Sequence, residues 1–292
     1  MPEHFDKERV AALIGMLKPA RLTRIVDIGA NPIHVPDYDA LRQMGGCEVW
    51  GFEPQPEAHA ALVANARPGE TYLPHAIGTG EDGTLHVCAS GGFTSLLPPD
   101  KRTLDHLGRW HKAMQVVETL PVKTRRLDDI AELPPPDFLK IDIQGGERDV
   151  FGNGREKLKQ AVAVVTEVGF VPLYQNQPLF HDQAAELAAQ GFDLVRFLTL
   201  KSKALGGPSM ATLDWRRHQG QLIDGDALFM RRMIGADWGD EALKHLAILA
   251  DAVFETFDLA IRCLDILLER GKLGQGALDG YLAHVPHQKA AR

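Results

Sequence analysis

Two consecutive strand-turn-helix patterns near the amino terminus constrain the fold most. An apolar run at residues 25–28 opens into Gly29, and a helical stretch follows over residues 36–44. A second run at residues 48–52 ends at Glu53, and an alanine-rich helix that begins with prolines follows over residues 54–66. Nearly continuous apolar strands that alternate with helices are typical of a parallel sheet covered by helices on both faces. We therefore predict an α/β fold.

The rest of the chain divides into a core and two extensions. We predict an N-terminal helical segment at 1–23, an α/β domain at 24–232 and a C-terminal helical extension at 233–292. Further strands are predicted at 72–77, 84–88, 138–143, 162–168, 192–198 and 227–231. The irregular stretch at about 91–123, with a helix at 103–114, is interpreted as an insertion over the sheet edge.

The C-terminal extension carries the clearest helical pattern. Residues 242–269 are predicted as one continuous helix, because apolar residues recur three and four positions apart. Such a seam packs against another helix or sheet, either in its own chain or in a second subunit. A homodimer through these helices is therefore an open alternative to a helical cap on the sheet.

Composition limits the partners that the chain suits. The 292 residues carry a formal charge of −7, which gives no general attraction to nucleic acid or anionic lipid. No apolar stretch approaches the roughly 20 residues that span a bilayer. The three cysteines have no pairing pattern of a disulfide framework or a zinc site. We expect a cytoplasmic protein with a small-molecule partner and with no nucleic-acid or membrane partner.

Polar residues close the first two strands, where ligands of open α/β sheets bind. Glu53 stands 24 residues after Gly29 and can accept both hydroxyls of a ribose, which fits a dinucleotide or S-adenosylmethionine. The turn after Gly29 lacks the second glycine that a pyrophosphate needs, which favours S-adenosylmethionine. Asp27 is then placed near its ammonium group and Asn31 near its carboxylate. Alternatively, Asp27 and Asn31 cap the following turn.

Six motifs in a fixed order extend this interpretation. They are VDIGAN (26–31), GFEP (51–54), HAIG (75–78), LDD (127–129), FLKIDIQGGE (138–147) and EV (167–168). Their order resembles that of FkbM-family methyltransferases over about residues 24–232. The resemblance implies the class I methyltransferase (Rossmann-like) fold, a seven-stranded mostly parallel sheet with one reversed strand. It also implies methyl transfer from S-adenosylmethionine, usually to a hydroxyl of a sugar, glycan or natural-product alcohol, with S-adenosylhomocysteine as product.

The resemblance also implies roles for individual residues. Those assigned to the cofactor are Asp27, Gly29 and Asn31 for the amino-acid part, Glu53 for the ribose, His75 and Ala76 for the adenine, and Asp142 beside the methyl group. The chain departs from the family pattern at Pro32-Ile33, where a second glycine is frequent, and at Gln144, where glutamate is frequent.

Methyl transfer to a hydroxyl needs alignment of the reactants and a base. Asp142 is our preferred base, with His75, Glu147 and Glu167 as further candidates. Glu147 has an alternative role as the cap of the helix after it. Asp142 and Glu167 together could bind a divalent cation such as Mg²⁺, but Gln144 removes a carboxylate, so we do not expect a metal.

The candidate acceptor-binding residues are Thr94 and Ser95 in the insertion and Glu167 at the end of a predicted strand. Thr94 and Ser95 follow a Gly-Gly pair in a loop that faces the acceptor in the family, although a hydroxyl-capped glycine turn explains the same residues. Trp110, Tyr174 and Trp215 are aromatic platforms for a sugar ring or ordinary packing residues.

Three functions from different classes remain open at this stage. The first is an O-methyltransferase. The second is a nicotinamide-dependent oxidoreductase, which the absent glycines oppose. The third is a methyltransferase-like binding protein without catalysis, which the departures at Pro32-Ile33 and Gln144 keep possible.

Overall fold

The computed structural model describes residues 3–31, 35–235 and 237–286. The strands in this part of the chain are β1 (Thr23–Ile28), β2 (Cys47–Phe52), β3 (Glu70–Leu73), β4 (Ala76–Ile77), β5 (Asp82–Cys88), β6 (Val116–Arg125), β7 (Phe138–Ile141), β8 (Ala163–Gly169), β9 (Phe192–Lys203) and β10 (Gln221–Arg231). The α-helices are α1 (Lys7–Leu17), α2 (Asp39–Gln43), α3 (Pro56–Ala64), α4 (Lys101–Leu107), α5 (Glu147–Gly152), α6 (Arg155–Leu158), α7 (Phe180–Ala189), α8 (Asp240–Ala252), α9 (Phe257–Glu269) and α10 (Gln275–Leu282).

Seven strands form the main sheet, in the order β3-β2-β1-β7-β8-β10-β9. The first five are parallel to their neighbours. β10 runs antiparallel to both β8 and β9. The predicted class I methyltransferase sheet, mostly parallel with one reversed strand, is thus confirmed.

Both faces of the sheet are covered because side chains alternate between them. On one face Ile25, Phe138 and Leu228 join a buried cluster with α1, α8 and α9. On the other face Leu139 and Phe229 join a second cluster with α5, α6 and α7. The predicted layers of helix, sheet and helix are therefore present.

The region predicted as an irregular insertion contains a second sheet. β6 pairs antiparallel with β5 and parallel with the short β4, giving the order β4-β6-β5. The single strand predicted at 72–77 is wrong, because the chain divides there into β3 and β4, which belong to different sheets. The helix predicted at 103–114 is shorter: Asp100 caps its start and Gly108, with φ of 63°, ends it at Leu107.

The continuous helix predicted at 242–269 is also wrong. It is interrupted between α8 and α9, where the N–H of Phe254 donates to the carbonyl of Leu249 and Glu255 adopts φ of 50°. The apolar seam is buried within the chain, from Leu243 on α8 to Leu267 on α9, with Phe257 partly exposed. The homodimer stays a prediction, and residues outside this seam would have to form its contact.

A buried ion pair ties the two ends of the chain together. Arg9 on α1 lies 2.9 Å from the Asp251 carboxylate on α8, and both side chains are buried. The hydroxyl of Tyr281 on α10 donates to the same carboxylate at 2.7 Å. The N-terminal segment and the C-terminal extension therefore pack as one unit on the same sheet face. None of the helices in the described ranges has the length and apolar character needed to cross a membrane.

Candidate active site

A cavity of about 780 Å³ opens at the carboxyl ends of β1, β2, β7 and β8. It gathers most of the residues that the sequence assigned to a site. Those that line it are Gly29, Asn31, Glu53, His75, Ala76, Thr94, Ser95, Asp142 and Glu167. Asp27 and Glu147 do not line it.

Gly29 is where the loops after β1 and β7 come closest together. Its φ is 83°, and a Cβ built on it would stand 2.0 Å from the carbonyl oxygen of Asp142. Only glycine fits such an approach. The N–H groups of Gly29 and Ala30 both donate to the carbonyl of Phe52, so neither is available to a bound carboxylate. The departure at Pro32-Ile33 lies outside the described residues.

Asp27 lies behind this loop and is already paired within the chain. It is buried, accepts a hydrogen bond from the Tyr38 hydroxyl at 2.6 Å and lies 3.3 Å from Nζ of Lys140. Burial lowers the pKa of Lys140, but Asp27 and then Asp142 outweigh this effect and raise it above the ordinary value. Lys140 was not among the predicted site residues. Its ammonium group lies beside Asp27, so the carboxylate predicted to meet the cofactor's own ammonium group is already paired.

Glu53 closes β2, as the sequence predicts. Its Oε1 accepts a hydrogen bond from the N–H of Gln55 at 2.8 Å, which orients the carboxylate at the cavity wall. Burial raises the pKa of Glu53, and the Gln55 N–H acts in the opposite direction. A carboxylate fixed in this way is suited to accept hydrogen bonds from paired hydroxyl groups.

His75 lines the cavity beside Ala76, but its geometry does not suit a base. Nε2 of His75 lies 2.8 Å from a guanidinium nitrogen of Arg125, which can only donate. Burial, followed by the charge of Arg125, lowers the pKa of His75. The nitrogen that faces Arg125 is therefore not available to remove a proton from an acceptor.

Asp142 follows β7 directly and Glu167 lies near the end of β8. The amide nitrogen of Gln144 donates to Oδ1 of Asp142 at 2.8 Å and to Oε2 of Glu167 at 2.7 Å. Burial, then the Asp142 and Glu147 carboxylates, raises the pKa of Glu167 well above its ordinary value. Asp142 and Glu167 thus form one linked group at the centre of the cavity.

Glu147 bonds to the loop before α5, and the α5 N-cap residue, Gly146, makes no side-chain cap. Its carboxylate accepts hydrogen bonds from the N–H groups of Ile143 at 3.0 Å and Gly145 at 3.1 Å. The residue is 1% exposed and lies at the start of α5. Burial raises its pKa to about 7. Glu147 therefore holds the loop that carries Asp142 and does not line the cavity.

An aromatic wall and two hydroxyl residues form the far side of the cavity. Phe93 and Trp110 have ring centroids 6.1 Å apart, and both line the space. Thr94 and Ser95 also line it, but their hydroxyls take part in internal hydrogen bonds: Thr94 accepts from the Cys88 N–H at 3.2 Å, and Ser95 donates to the Gln144 carbonyl at 2.7 Å. The two hydroxyl residues therefore shape the wall of the cavity.

β9 and β10 contribute charged residues that the sequence analysis missed. Lys201 on β9 lies 2.8 Å from the Asp224 carboxylate on β10, and both line the cavity together with Asp226. Alternation of charged and apolar residues along β10 was the available signal, but only the pairing of β10 with β8 brings those charges to the site. Across the described ranges there is no group of three or more His, Cys, Asp or Glu residues that could hold a metal ion.

Comparison with known proteins agrees with the motifs and the sheet. Residues 27–194 match the model of the methyltransferase FkbM domain. The chain is also similar to 2-O-methyltransferase NoeI of Sinorhizobium fredii (strain NBRC 101917 / NGR234), with 28% identity over 165 residues that cover 52% of this chain. The chain spans 66% of the length of that relative.

Two solved structures have distant similarity to this chain. Magnesium protoporphyrin IX methyltransferase (ChlM) from Synechocystis PCC 6803, with bound SAM, has 11% identity and a TM-score of 0.39, and 77% of each chain is covered. Precorrin-6y C5,15-methyltransferase from Geobacter metallireducens GS-15 has 13% identity and a TM-score of 0.37, with 79% of this chain and 93% of that chain covered. The assignment of the fold depends on strand order and direction instead. Because the family model matches more than half of its length, the chain belongs to the FkbM methyltransferase family.

Proposed function

We propose that this protein transfers a methyl group from S-adenosylmethionine to a hydroxyl of a sugar, glycan or other natural-product small molecule. One observation carries the proposal. A single cavity is lined by Glu53, by Asp142 and by the wall formed by Phe93 and Trp110. A volume of about 780 Å³ is large enough for a cofactor and a small acceptor together.

The cofactor side of this proposal uses residues at the ends of β1, β2 and β4. Glu53 accepts hydrogen bonds from the ribose hydroxyls, and His75 with Ala76 borders the adenine. Gly29 lets the loop after β1 lie against the loop after β7 at the cavity wall, and Asn31 faces the amino-acid part of the cofactor. Asp27 lies behind this part of the cavity and is paired with Lys140.

The chemical step is an in-line displacement. Bound S-adenosylmethionine supplies an electrophilic methyl group on a positively charged sulfur. The acceptor oxygen forms the new bond to carbon as the carbon–sulfur bond breaks, and S-adenosylhomocysteine leaves with the electron pair. The Asp142 carboxylate takes the hydroxyl proton, while the cavity walls hold the oxygen in line with the methyl group.

Oxygen is the proposed target atom for two reasons. The curated relative is named as a 2-O-methyltransferase. A carboxylate at the end of β7 is also the group that a neutral hydroxyl needs, because the hydroxyl must lose a proton as it becomes an ether. An aromatic wall opposite polar side chains suits a sugar ring, which has apolar faces and polar edges.

Calorimetric titration tests the cofactor assignment before any acceptor is known. The protein is titrated with S-adenosylmethionine, S-adenosylhomocysteine and NAD, and the titrations are repeated on Glu53→Ala. We expect both adenosyl ligands to bind, NAD not to bind, and Glu53→Ala to lose at least about tenfold in affinity, since a charged acceptor of two hydroxyls is removed. Glu57→Ala is the matched control, because Glu57 is exposed and lies outside the cavity.

The other outcomes separate the alternative functions. Binding of NAD in place of the adenosyl ligands would favour an oxidoreductase and contradict the proposal. Binding of the adenosyl ligands without transfer to any member of a panel of sugars and hydroxylated natural products would favour a binding protein. Radiolabelled methyl transfer to a hydroxylated acceptor is the positive result.

A further inference from the structure

Gln144 lies between the two carboxylates in a backbone conformation that few residues with a side chain adopt. Its φ is 61°, in the left-handed region, and Gly145 after it has φ of 110°. Such a conformation persists when surrounding contacts hold it, and it is frequent at functional sites. The backbone of the loop after β7 therefore holds the Gln144 side chain in the position where it makes its hydrogen bonds.

Every hydrogen-bonding group of the Gln144 amide is used. The two N–H groups go to Asp142 and Glu167, and Oε1 accepts from the Tyr174 hydroxyl at 2.9 Å. The backbone carbonyl of the residue accepts from Ser95. Gln144 thereby joins the end of β7, the end of β8 and the acceptor wall in one network.

The network fixes which way round the amide lies. If nitrogen and oxygen were exchanged, Oε1 would stand within hydrogen-bonding distance of the Asp142 carboxylate oxygen with no proton between them. A glutamate at this position would meet the same repulsion. The site therefore requires a side chain at position 144 with two N–H groups on one nitrogen.

The charges around Asp142 explain why a donor is needed there. Asp142 is faced by Glu167 on β8, Glu147 at the start of α5 and Lys140 on its own strand. Lys140 is paired with Asp27, and Lys201 is paired with Asp224. Two neighbouring carboxylates of this kind commonly share a divalent cation, but here Nε2 of Gln144 stands at the point between them.

We propose that Gln144 is a positioning residue that takes the place of a divalent cation, holding Asp142 and Glu167 together through its two N–H groups. Gln144 occupies Oδ1 of Asp142, which leaves Oδ2 to take the proton of the acceptor hydroxyl. This inference rests on the proposed methyl transfer to a hydroxyl. Its consequence is that Gln144→Glu turns the linked group into a three-carboxylate cation site.

Manganese binding to the full chain tests this consequence without cofactor or acceptor. Wild-type protein, Gln144→Glu and Gln175→Glu are each titrated with Mn²⁺ by calorimetry. We expect one bound Mn²⁺ in Gln144→Glu and none in the other two proteins. Gln175→Glu is the matched control, because Gln175 is exposed, lies outside the cavity and gains the same charge.

Gln144→Asn tests the positioning role and suits the left-handed backbone, so we expect it to fold. Its amide is one methylene shorter and cannot reach both carboxylates. We expect kcat to fall about 10- to 100-fold while the KM for S-adenosylmethionine stays unchanged.

Three results would overturn the inference. They are equal Mn²⁺ binding by the wild-type protein and Gln144→Glu, no Mn²⁺ binding by folded Gln144→Glu, and a wild-type kcat in Gln144→Asn. Failure of the proposed function would be seen separately, as absence of methyl transfer by the wild-type protein, since the Mn²⁺ titration does not depend on it.

Discussion

One face of the main sheet has two halves with opposite character. In the amino half, Ile25, Phe138 and Val165 are buried beneath α8 and α9. Two positions further along each of the same strands, the side chains on that face are Asp27, Lys140 and Glu167. The helices cover the first half. In the second half, Glu167 lines the cavity of the candidate active site, and Asp27 and Lys140 line a second cavity of about 460 Å³. Stability and ligand binding are therefore separated along each strand, and substitutions in the two halves should affect different measurements.

Asp142→Asn should have the largest effect of the variants considered. It should impair catalysis in the charged half of the sheet face and leave the apolar half unchanged. Asparagine keeps an oxygen for the Gln144 amide but cannot take a proton, so kcat should fall about 10²- to 10⁴-fold. The affinity for S-adenosylhomocysteine and the unfolding midpoint should change little. Steady-state kinetics, calorimetry and urea unfolding measure the three quantities. An unchanged kcat would remove Asp142 as the base.

Phe138→Ala should disrupt the packing of side chains in the apolar half. The ring is 1% exposed and meets Phe254 edge-on at a centroid distance of 5.1 Å. Its loss should lower the free energy of unfolding by about 3–5 kcal/mol in urea denaturation. Val117→Ala on β6, where the side chain is 62% exposed, should change it by less than about 0.5 kcal/mol. Equal destabilisation by both variants would contradict the assignment of this half to stability.

Glu147 lies beside the charged half and should make stability depend on pH. Its pKa in the folded protein is about 7, above the ordinary value of 4.5, so between these values the folded state holds a proton that the unfolded state releases. The free energy of unfolding should fall between pH 5 and pH 8, by up to roughly 3 kcal/mol from this residue. Urea unfolding across this range should give a smaller fall for Glu147→Gln. Identical slopes would contradict the prediction.

Trp110→Ala gives the smallest expected effect and sharpens the distinction between cofactor and acceptor. Loss of a stacking surface should raise the acceptor KM about fivefold, since such contacts contribute about 1 kcal/mol. The affinity for S-adenosylmethionine should stay unchanged. Trp215→Ala is the control, because Trp215 is 48% exposed and lies outside the cavity. Equal changes in KM for both variants would place the acceptor elsewhere.

The central strands could be predicted because burial on both faces makes their sequences nearly continuous in apolar residues. β1, β2, β7 and β8 all have this character. β6 does not have this character, because it lies in the small sheet, alternates exposed and partly buried residues, and contains Pro121. Its pattern therefore resembled a loop. No proline or glycine stands between α8 and α9, so the local sequence could not predict the break between these helices.

The site was predictable to the extent that it follows strand ends. Glu53 and Asp142 come directly after β2 and β7, and both border the cavity. The pairing of Asp27 with Lys140 was not predictable from spacing, because these residues are far apart in sequence and meet only through the register of β1 with β7. The contribution of β9 and β10 is hidden for the same reason, since it depends on which strands become neighbours.

The close approach at Gly29 has a consequence for engineering. A Cβ there would lie 2.0 Å from the Asp142 carbonyl, so two backbone segments set the distance between the cofactor pocket and the proposed base. Side-chain substitution cannot widen that distance. Cofactor analogues with a larger transferable alkyl group would need their extra space on the opposite side, where the side chains of Phe93 and Trp110 can be made smaller.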